Sequence, residues 1–448
     1  METILVTLEQ LKKYNVPGPR YTSYPPATHF TQSPKIKKAI KGDLSLYFHL
    51  PFCTKQCLYC GCTNVLTNDR SQSAIYLDYL EREMNMRAAY IPKDSKVVQI
   101  QWGGGSPTFL QDHEIIQLSE KIRSVFSVAT DVEFGVELDP RNVTKSKIAA
   151  LKIAGCNRAS LGVQDTNEEV QKAIARIQPF EQVVSATNGL RESGIHSINF
   201  DLIYGLPLQT VESFSQTIDD VLSLSPDRLA VYSYAHIPWI KPFQKVLENK
   251  LPNTETKLQL LQCAIKKITN AGYLYIGMDH FAKPNDALAR ALKEGSLQRN
   301  FQGYSTLKGI DLHGFGMSSI SHIGNQYLQN HKELSTYYNQ LDEKKLPLLR
   351  GYTMTKEDQL RYPIIMHIMC DMFVDYKRLS QELNIDFKTV FKDEISSLCD
   401  LEKEGLLRRT KDGIQVTPLG RIFVRIIAMR FDAYLNKNEQ KGRYSKIV

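Results

Sequence analysis

Short apolar runs recur at regular intervals between residues 44 and 235: LSLYFHL (44–50), VVQIQWGG (97–104), DVEFGVEL (131–138), NRASLGVQ (157–164), SINFDLIYG (197–205) and RLAVYSY (228–234). Their β-branched and aromatic content predicts six strands. The intervals carry apolar stripes at helical spacing, first Leu77, Leu80 and Met84, then Ile115, Leu118, Ile122 and Val125, then Phe214, Ile218 and Val221. Strand and helix in regular alternation predict right-handed crossovers and a parallel sheet. Six such units suit an open doubly wound sheet or a partial barrel. On either side the pattern changes. Residues 1–40, with Pro17, Pro19, Pro25, Pro26 and Pro34, predict an extended arm that a helix does not cross. Residues 236–350 predict a helix near 256–271, a strand over YLYIGMDHF (273–281) and a Gly-rich segment, DLHGFGMSS (311–319). From about 352 onward, helices lead to a turn at Asp412-Gly413 and a final amphipathic helix, an arrangement like a winged helix. The expected domains are therefore an arm (1–40), a barrel with an extension (41–350) and a mainly helical unit (351–448).

Composition narrows the class. A chain of 448 residues, 42% apolar and 23% charged, is folded and globular, which excludes a disordered chain, a collagen-like fibre and a small disulfide scaffold. The start, METILVTLEQLKKYN, has no apolar signal core, and no stretch approaches the ~18 uncharged residues of a membrane span, so a cytoplasmic location and no membrane partner are expected. A net charge of +8 is spread along the chain and fits an acidic small substrate as well as nucleic acid. Cysteine placement is more informative. Cys53, Cys57, Cys60 and Cys62 fall within ten residues, whereas Cys156, Cys263, Cys370 and Cys399 are scattered and read as small core residues. In a reducing compartment a tight cysteine cluster reads as a metal or redox site.

Five of the six predicted strands end in polar or special residues, at the end where parallel α/β folds place their sites. The first runs into the cysteines, the second into Gly103-Gly104-Gly105, the third into Glu137 and Asp139, the fourth into Gln164, and the fifth contains Asp201. Cys53, Cys57 and Cys60, spaced Cx3Cx2C, suit one compact inorganic cluster with an iron left open for a ligand. The alternative is zinc with Cys62 as fourth ligand, against which stands the short Cys60-Gly61-Cys62 loop. The glycines read as a place where backbone approaches a ligand, or as a tight turn. Glu137 suits a ribose hydroxyl or an ammonium, or is a surface carboxylate. Gln164, Arg176 and Asp201 are ambiguous alone, and His236, His280 and His313 read as pocket or core residues. The tail also admits a DNA-binding reading, a helix near 388–404 with Arg408, Arg409 and Lys411 at a wing, but Asp393, Glu394, Asp400, Glu402 and Glu404 oppose a phosphate backbone.

CTKQCLYC (53–60) resembles the signature of radical S-adenosylmethionine (SAM) enzymes, and the glycine triplet resembles their SAM-contacting motif. RYTSYP (20–25), Cys62, WGGGSPTFL (102–110), GVQDTNEEVQ (162–171), DLIYGLP (201–207), YAHIP (234–238), IGMDHFAKP (276–284), RNFQGY (299–304) and GIQVTPLGR (413–421) are similar to the oxygen-independent coproporphyrinogen III oxidase family, from about residue 14 to the C-terminus. The resemblance implies an α/β fold, a partial (β/α)6 TIM-like barrel with an N-terminal arm and a mainly helical, winged-helix-like C-terminal domain. It implies a radical SAM oxidoreductase of porphyrin and haem biosynthesis. Two propionates of coproporphyrinogen III become vinyls by way of a 5′-deoxyadenosyl radical, giving protoporphyrinogen IX. Implied cofactors are a [4Fe–4S] cluster on Cys53, Cys57 and Cys60, its fourth iron open to SAM, and two SAM molecules. By position, Tyr47, Gly104, Glu137 and Ile320 match contacts to the first SAM, and Tyr59, Gly105, Ser106, Gln164, Arg176, Asp201 and Ala235 match contacts to the second. Cys62 and Tyr47 fall at catalytic positions, Cys62 as a cysteine that does not bind the cluster. Ser106 stands where the family usually has Thr, and Tyr59 where Phe is common. Further implied are a monomer, a one-electron donor protein such as flavodoxin or ferredoxin, and no nucleic-acid partner. Relatives with other roles, a haem-degrading radical methyltransferase and a haem chaperone, are the alternatives, and Cys62 together with the YTSYP arm argues against them.

Overall fold

The computed structural model describes residues 6–32, 36, 42–435 and 444–447. The arm is extended only in part. Its first turns form helix α1 (Leu8–Tyr14), because Thr7 and Gln10 close a capping box, and the extended stretch starts only after it. Pro34 lies outside the described residues. The six runs become strands β1 (Leu44–Leu50), β2 (Val97–Gly104), β3 (Val128–Leu138), β4 (Arg158–Gln164), β5 (Ser197–Tyr204) and β6 (Arg228–Ser233). Between and after them lie α2 (Ser71–Ala88), α3 (Asp112–Val125), α4 (Lys145–Ala154), α5 (Glu168–Ala173), α6 (Phe180–Glu192), α7 (Val211–Ser223) and α8 (Thr254–Asn270). All six strands pair in parallel in chain order, as in a partial (β/α)6 barrel.

The sheet is larger than six strands. YLYIGMDHF is a hairpin rather than one strand, β7 (Leu274–Gly277) and β8 (His280–Ala282), reversing where Met278 takes a left-handed φ of 50°. The hairpin adds antiparallel to β6, and the Val231 N–H donates to the Asp279 carbonyl at 2.7 Å. DLHGF, inside the Gly-rich segment, is strand β9 (Asp311–Phe315), parallel to β1 on the opposite side. Glycine there hides a strand for a steric reason: a Cβ on Gly314 would stand 2.6 Å from the Ile320 carbonyl oxygen. β10 (Ile320–Ile323), β11 (Gln326–Asn330) and β12 (Leu348–Thr353) continue antiparallel, and Thr31–Gln32 of the arm pairs with β12.

The parallel strands do not have two apolar faces. One face, including Leu46, Phe48, Ile100, Trp102, Phe134, Val136, Leu161, Phe200 and Leu202, is buried in the main core. The alternate positions put Gln99, Gln101, Glu133, Glu137, Arg158, Ser160, Asn199, Asp201 and Tyr232 around an interior cavity of about 90 Å³, together with His280 from β8. Period-two alternation in a parallel sheet therefore leaves a polar lumen.

Within α2, Glu83 and Arg87 form an i,i+4 ion pair at 3.4 Å with both side chains essentially inaccessible. Arg87 also donates to the Gly314 carbonyl at 2.7 Å and the Ser321 hydroxyl at 2.8 Å, and Glu83 accepts from Asn330, Tyr337 and the Gly316 N–H. This network ties α2 to β9–β11. Arg87→Met strands the Glu83 carboxylate in a dry site and is expected to cost about 3–5 kcal/mol, read as a lowered midpoint in chemical denaturation.

The tail has the winged-helix-like arrangement: a helix (Lys356–Met366), a π-helical turn (His367–Asp371), short helices and a three-stranded sheet of Phe373–Asp375, Gly413–Val416 and Leu407–Arg409. The helix expected near 388–404 is three pieces, Phe387–Val390, Lys392–Ser396 and Cys399–Lys403, with buried Phe391 and Leu398 at the breaks. The final helix is likewise split, into Pro418–Ile422 and Val424–Met429. The hairpin reverses at Lys411-Asp412, one residue earlier than expected. Gly413 belongs to the strand, where a Cβ would lie 2.2 Å from the Val374 carbonyl oxygen. Among the described residues no helix is long and apolar enough to cross a membrane.

Candidate active site

A cavity of about 280 Å³ opens at the C-terminal ends of the parallel strands. Its lining contains Cys53, Cys57, Tyr59, Cys60, Cys62, Gly104, Gly105, Ser106, Glu137, Gln164, Arg176 and Asp201. Three predicted residues lie outside that lining. Tyr47 sits on β1, its hydroxyl 3.1 Å from His49 Nδ1. Ala235 is exposed after β6, and Ile320 packs with Phe30, Tyr327 and Met354.

The cysteine loop is fastened at many points. Phe52–Cys53 pairs with Val65–Leu66, and Thr67 N–H reaches the Cys53 carbonyl at 3.0 Å. Leu58 N–H donates to the Ile174 carbonyl at 2.9 Å, Gln244 Nε2 to the Tyr59 carbonyl at 3.0 Å and Lys241 Nζ to the Cys62 carbonyl at 2.6 Å. His49 Nε2 meets the Thr63 carbonyl at 2.8 Å, and burial holds that imidazole neutral, its pKa lowered to about 4. Such bracing holds a ligand loop in one conformation.

Charge is arranged around the thiols. Arg176 Nη1 stands 3.6 Å and Arg141 Nη2 3.8 Å from Cys57 Sγ. Arg176 also pairs with Asp139 at 3.3 Å and donates to the Gly162 carbonyl at 2.8 Å. Burial works against its charge, but Tyr59, Asp139 and Cys57 together hold the guanidinium above its ordinary value. Burial also works against the Asp139 charge, and the bond from Arg141 with the field of Arg176 outweighs it, so Asp139 stays ionised. Burial raises the Cys53 thiol to about 11, whereas a hydrogen bond from the Cys62 thiol leads the causes that lower Cys60 to about 6. Across the cavity, burial and then the Asp201 charge lift Glu137 to about 7, opposed by the Gly104 N–H. Asp201 is raised by burial and accepts from Ser160 at 2.8 Å and Asn199 at 2.9 Å. A bulge at the end of β4 leaves Gln164 with a φ of 69°, at the strand end that faces the cavity.

The glycine triplet is explained by the chain itself. A Cβ on Gly103 would lie 2.9 Å from the Glu137 carboxylate, one on Gly104 2.9 Å from the His49 ring, and one on Gly105 2.2 Å from the Pro51 carbonyl oxygen. The close approach read from sequence as ligand contact is at least in part strand against loop.

Several lining residues escaped the sequence reading: Arg141, Arg70, Asn64, Ser160 and Tyr232. Ser160 and Tyr232 were legible as alternate polar positions on strands. Arg141, just past Asp139-Pro140, carries no comparable mark. Tyr21 and Tyr24 of the arm do not line the cavity. Both are buried, Tyr21 donating to Asp432 at 2.9 Å and Tyr24 accepting from the Ala433 N–H at 3.0 Å. His313 is a core residue, His280 lines the interior cavity, and His236 lies 3.2 Å from Glu248.

Among the described residues, no three or more His, Cys, Asp or Glu side chains are gathered to hold one metal ion. The three thiols instead border a shared cavity beside two guanidinia, and Arg176 Nε is buried there without a partner. Soft donors spaced around a cavity, with cations behind them, suit an anionic cluster in which each thiolate takes its own iron.

Comparison with known proteins agrees with this class. Residues 47–221 match the model of the radical SAM superfamily, and residues 354–423 match that of the HemN C-terminal domain. The partial barrel and its cysteine loop define a radical SAM protein, with the [4Fe–4S] cluster and SAM that this class carries. The oxygen-independent coproporphyrinogen III oxidase of Salmonella typhimurium is 42% identical over 449 residues, 98% of each chain, and that of Helicobacter pylori is 42% identical over 98% of this chain and 99% of its own. The solved structure of coproporphyrinogen III oxidase (HemN) from Escherichia coli, described as a radical SAM enzyme, superposes with a TM-score of 0.91 at 41% identity, covering 97% of this chain and 100% of that one. The chain belongs to the oxygen-independent coproporphyrinogen III oxidase family.

Proposed function

We propose that this protein oxidatively decarboxylates two propionates of coproporphyrinogen III to vinyls, giving protoporphyrinogen IX without oxygen. The observation that carries the reading is similarity over the whole chain, including the C-terminal unit, to enzymes of that name, with twelve of the predicted site residues around one cavity. Each conversion removes a hydrogen atom, one electron and CO2 from a propionate carboxylate, the electron passing to an external one-electron acceptor. When bound, the reduced cluster and SAM supply a 5′-deoxyadenosyl radical, the agent for the hydrogen atom.

The chain's own residues divide the remaining work. Cys53, Cys57 and Cys60 are the cluster ligands, with Arg141 and Arg176 offsetting their negative charge. Glu137, Tyr47, Gly104 and Ile320 serve one SAM. Tyr59, Gly105, Ser106, Gln164, Arg176, Asp201 and Ala235 serve a second. Glu137 and Asp201 suit an ammonium or ribose hydroxyls, and Arg176 suits a carboxylate. Cys62, exposed and hydrogen-bonded to Cys60, is the catalytic cysteine that binds no iron. The same reading includes a cytoplasmic monomer, a flavodoxin or ferredoxin as donor, and the three-part division 1–40, 41–350 and 351–448.

The test is anaerobic incubation of reconstituted protein with dithionite, SAM and coproporphyrinogen III, following protoporphyrin fluorescence after oxidation. One 5′-deoxyadenosine per vinyl supports the reading, and deoxyadenosine without protoporphyrin removes the substrate. Cys62→Ser is expected to keep the cluster absorbance while turnover falls. Iron loss in that variant would instead make Cys62 a ligand.

A further inference from the structure

Ten large hydrophobic side chains stand exposed among the described residues, and six of them, Leu66, Ile177, Leu208, Trp239, Ile240 and Val246, lie on segments fastened to the cysteine loop or one step from it. Trp239, Ile240 and Val246 are 66%, 62% and 64% exposed within eight residues of chain. Ile177 follows Ile174, whose carbonyl takes the Leu58 N–H, and Leu208 N–H donates to the Lys250 carbonyl. The 3-10 helix Pro242–Lys250 carries Gln244, which holds the Tyr59 carbonyl, and Lys241 just before it holds that of Cys62. None of the six lines the cavity.

Charge on the stretch 239–250, which carries Trp239, Ile240 and Val246, is mainly positive. Lys245 and Lys250 are exposed, and half-exposed Lys241 is held on the Cys62 carbonyl. The one acid of that stretch, Glu248, lies 3.2 Å from His236. Cys57 is buried, whereas Gly61 and Cys62 reach the surface beside this patch, with Ile237 Cδ1 3.8 Å from the Cβ position of Gly61. Exposed apolar side chains interspersed with lysines, on a segment that holds the cysteine loop, are the arrangement expected of an interface for an acidic partner.

We propose that this surface docks an acidic one-electron donor protein, with Trp239 and Ile240 at the apolar centre and the lysines opposite its carboxylates. The inference rests on the reading that the cysteines hold a cluster that must be reduced. One electron leaves the donor's flavin or iron–sulfur group and arrives on the cluster, with no bond or proton transferred.

The test uses the reconstituted full chain, a bacterial flavodoxin as probe, and the variants Trp239→Ser and Lys245→Glu. Each variant is expected to weaken flavodoxin binding and slow flavodoxin-driven bleaching of the cluster by about tenfold, with dithionite-driven bleaching unchanged. Wild-type affinity is expected to fall as salt rises. Flavodoxin binding unchanged in both variants overturns the proposal. So does loss of dithionite-supported coproporphyrinogen conversion with flavodoxin binding intact, which assigns the surface to the substrate. Wild-type protein that binds flavodoxin through this surface yet converts no coproporphyrinogen would remove the proposed reaction and leave the docking assignment standing.

Discussion

Cys57→Ser abolishes cluster absorbance and SAM cleavage together, the largest effect expected of any single change in this chain. Cys57 is the most buried of the four clustered cysteines, and two guanidinia, from Arg176 and Arg141, converge on its sulfur. Serine offers a hard hydroxyl that stays protonated, where iron in a cluster takes a soft thiolate. The fold is expected to survive, because the loop is fastened mainly through backbone groups on its flanks. Anaerobic reconstitution followed by iron analysis, visible absorbance and deoxyadenosine assay checks this. A variant that keeps both absorbance and cleavage would contradict the ligand assignment.

Gly105→Ala has the second largest expected effect, and it acts through geometry. The added methyl would sit 2.2 Å from the Pro51 oxygen and 2.5 Å from the Pro51 carbonyl carbon, both backbone atoms that do not rotate away. That carbonyl already accepts the Val65 N–H at 2.9 Å, and Gly105 N–H donates to Leu50 at 2.9 Å. Relief requires the ends of β1 and β2 to separate, which moves Phe52 and Cys53 and hence the loop. Iron incorporation and SAM affinity are expected to fall more than about tenfold, since misplacing a reacting group by about 1 Å costs that much or more. Gly61→Ala is the matched control. Its Cβ meets only Ile237 Cδ1 at 3.8 Å, ordinary contact, so iron content and SAM affinity are expected to match the parent. Equal behaviour of the two alanine variants would refute the steric argument.

The strands with apolar runs were legible because each has one face in the core, and their ends were legible because polar residues there have no structural reason to be present. β9 was not, because glycine at position 314 answers a backbone approach from Ile320 that no local pattern encodes. The β7–β8 hairpin was hidden for a similar reason: its reversal depends on a left-handed Met278, and methionine is no turn signal. At the site, cysteine spacing, the glycines, Glu137, Gln164 and Asp201 could be read directly, as strand-end positions. Their partners could not. Arg176 and Arg141 meet at Cys57 through loops 119 and 84 residues away, and His49 acts through Thr63, so their roles arise only from folding. The alternation that makes the barrel lumen polar was present in the strand sequences, Gln99 and Gln101 or Asn199 and Asp201, but the β-branched runs beside it dominated the pattern.

Transfer of label from substrate to cofactor tests the central claim most directly. Coproporphyrinogen III deuterated on the ring-proximal carbons of its propionates would be incubated anaerobically with the reduced protein and SAM, and the 5′-deoxyadenosine examined by mass spectrometry. Deuterium in the deoxyadenosine, one atom for each vinyl formed, is the predicted result. Unlabelled deoxyadenosine alongside protoporphyrin formation, or label transfer with no vinyl product, would contradict the account.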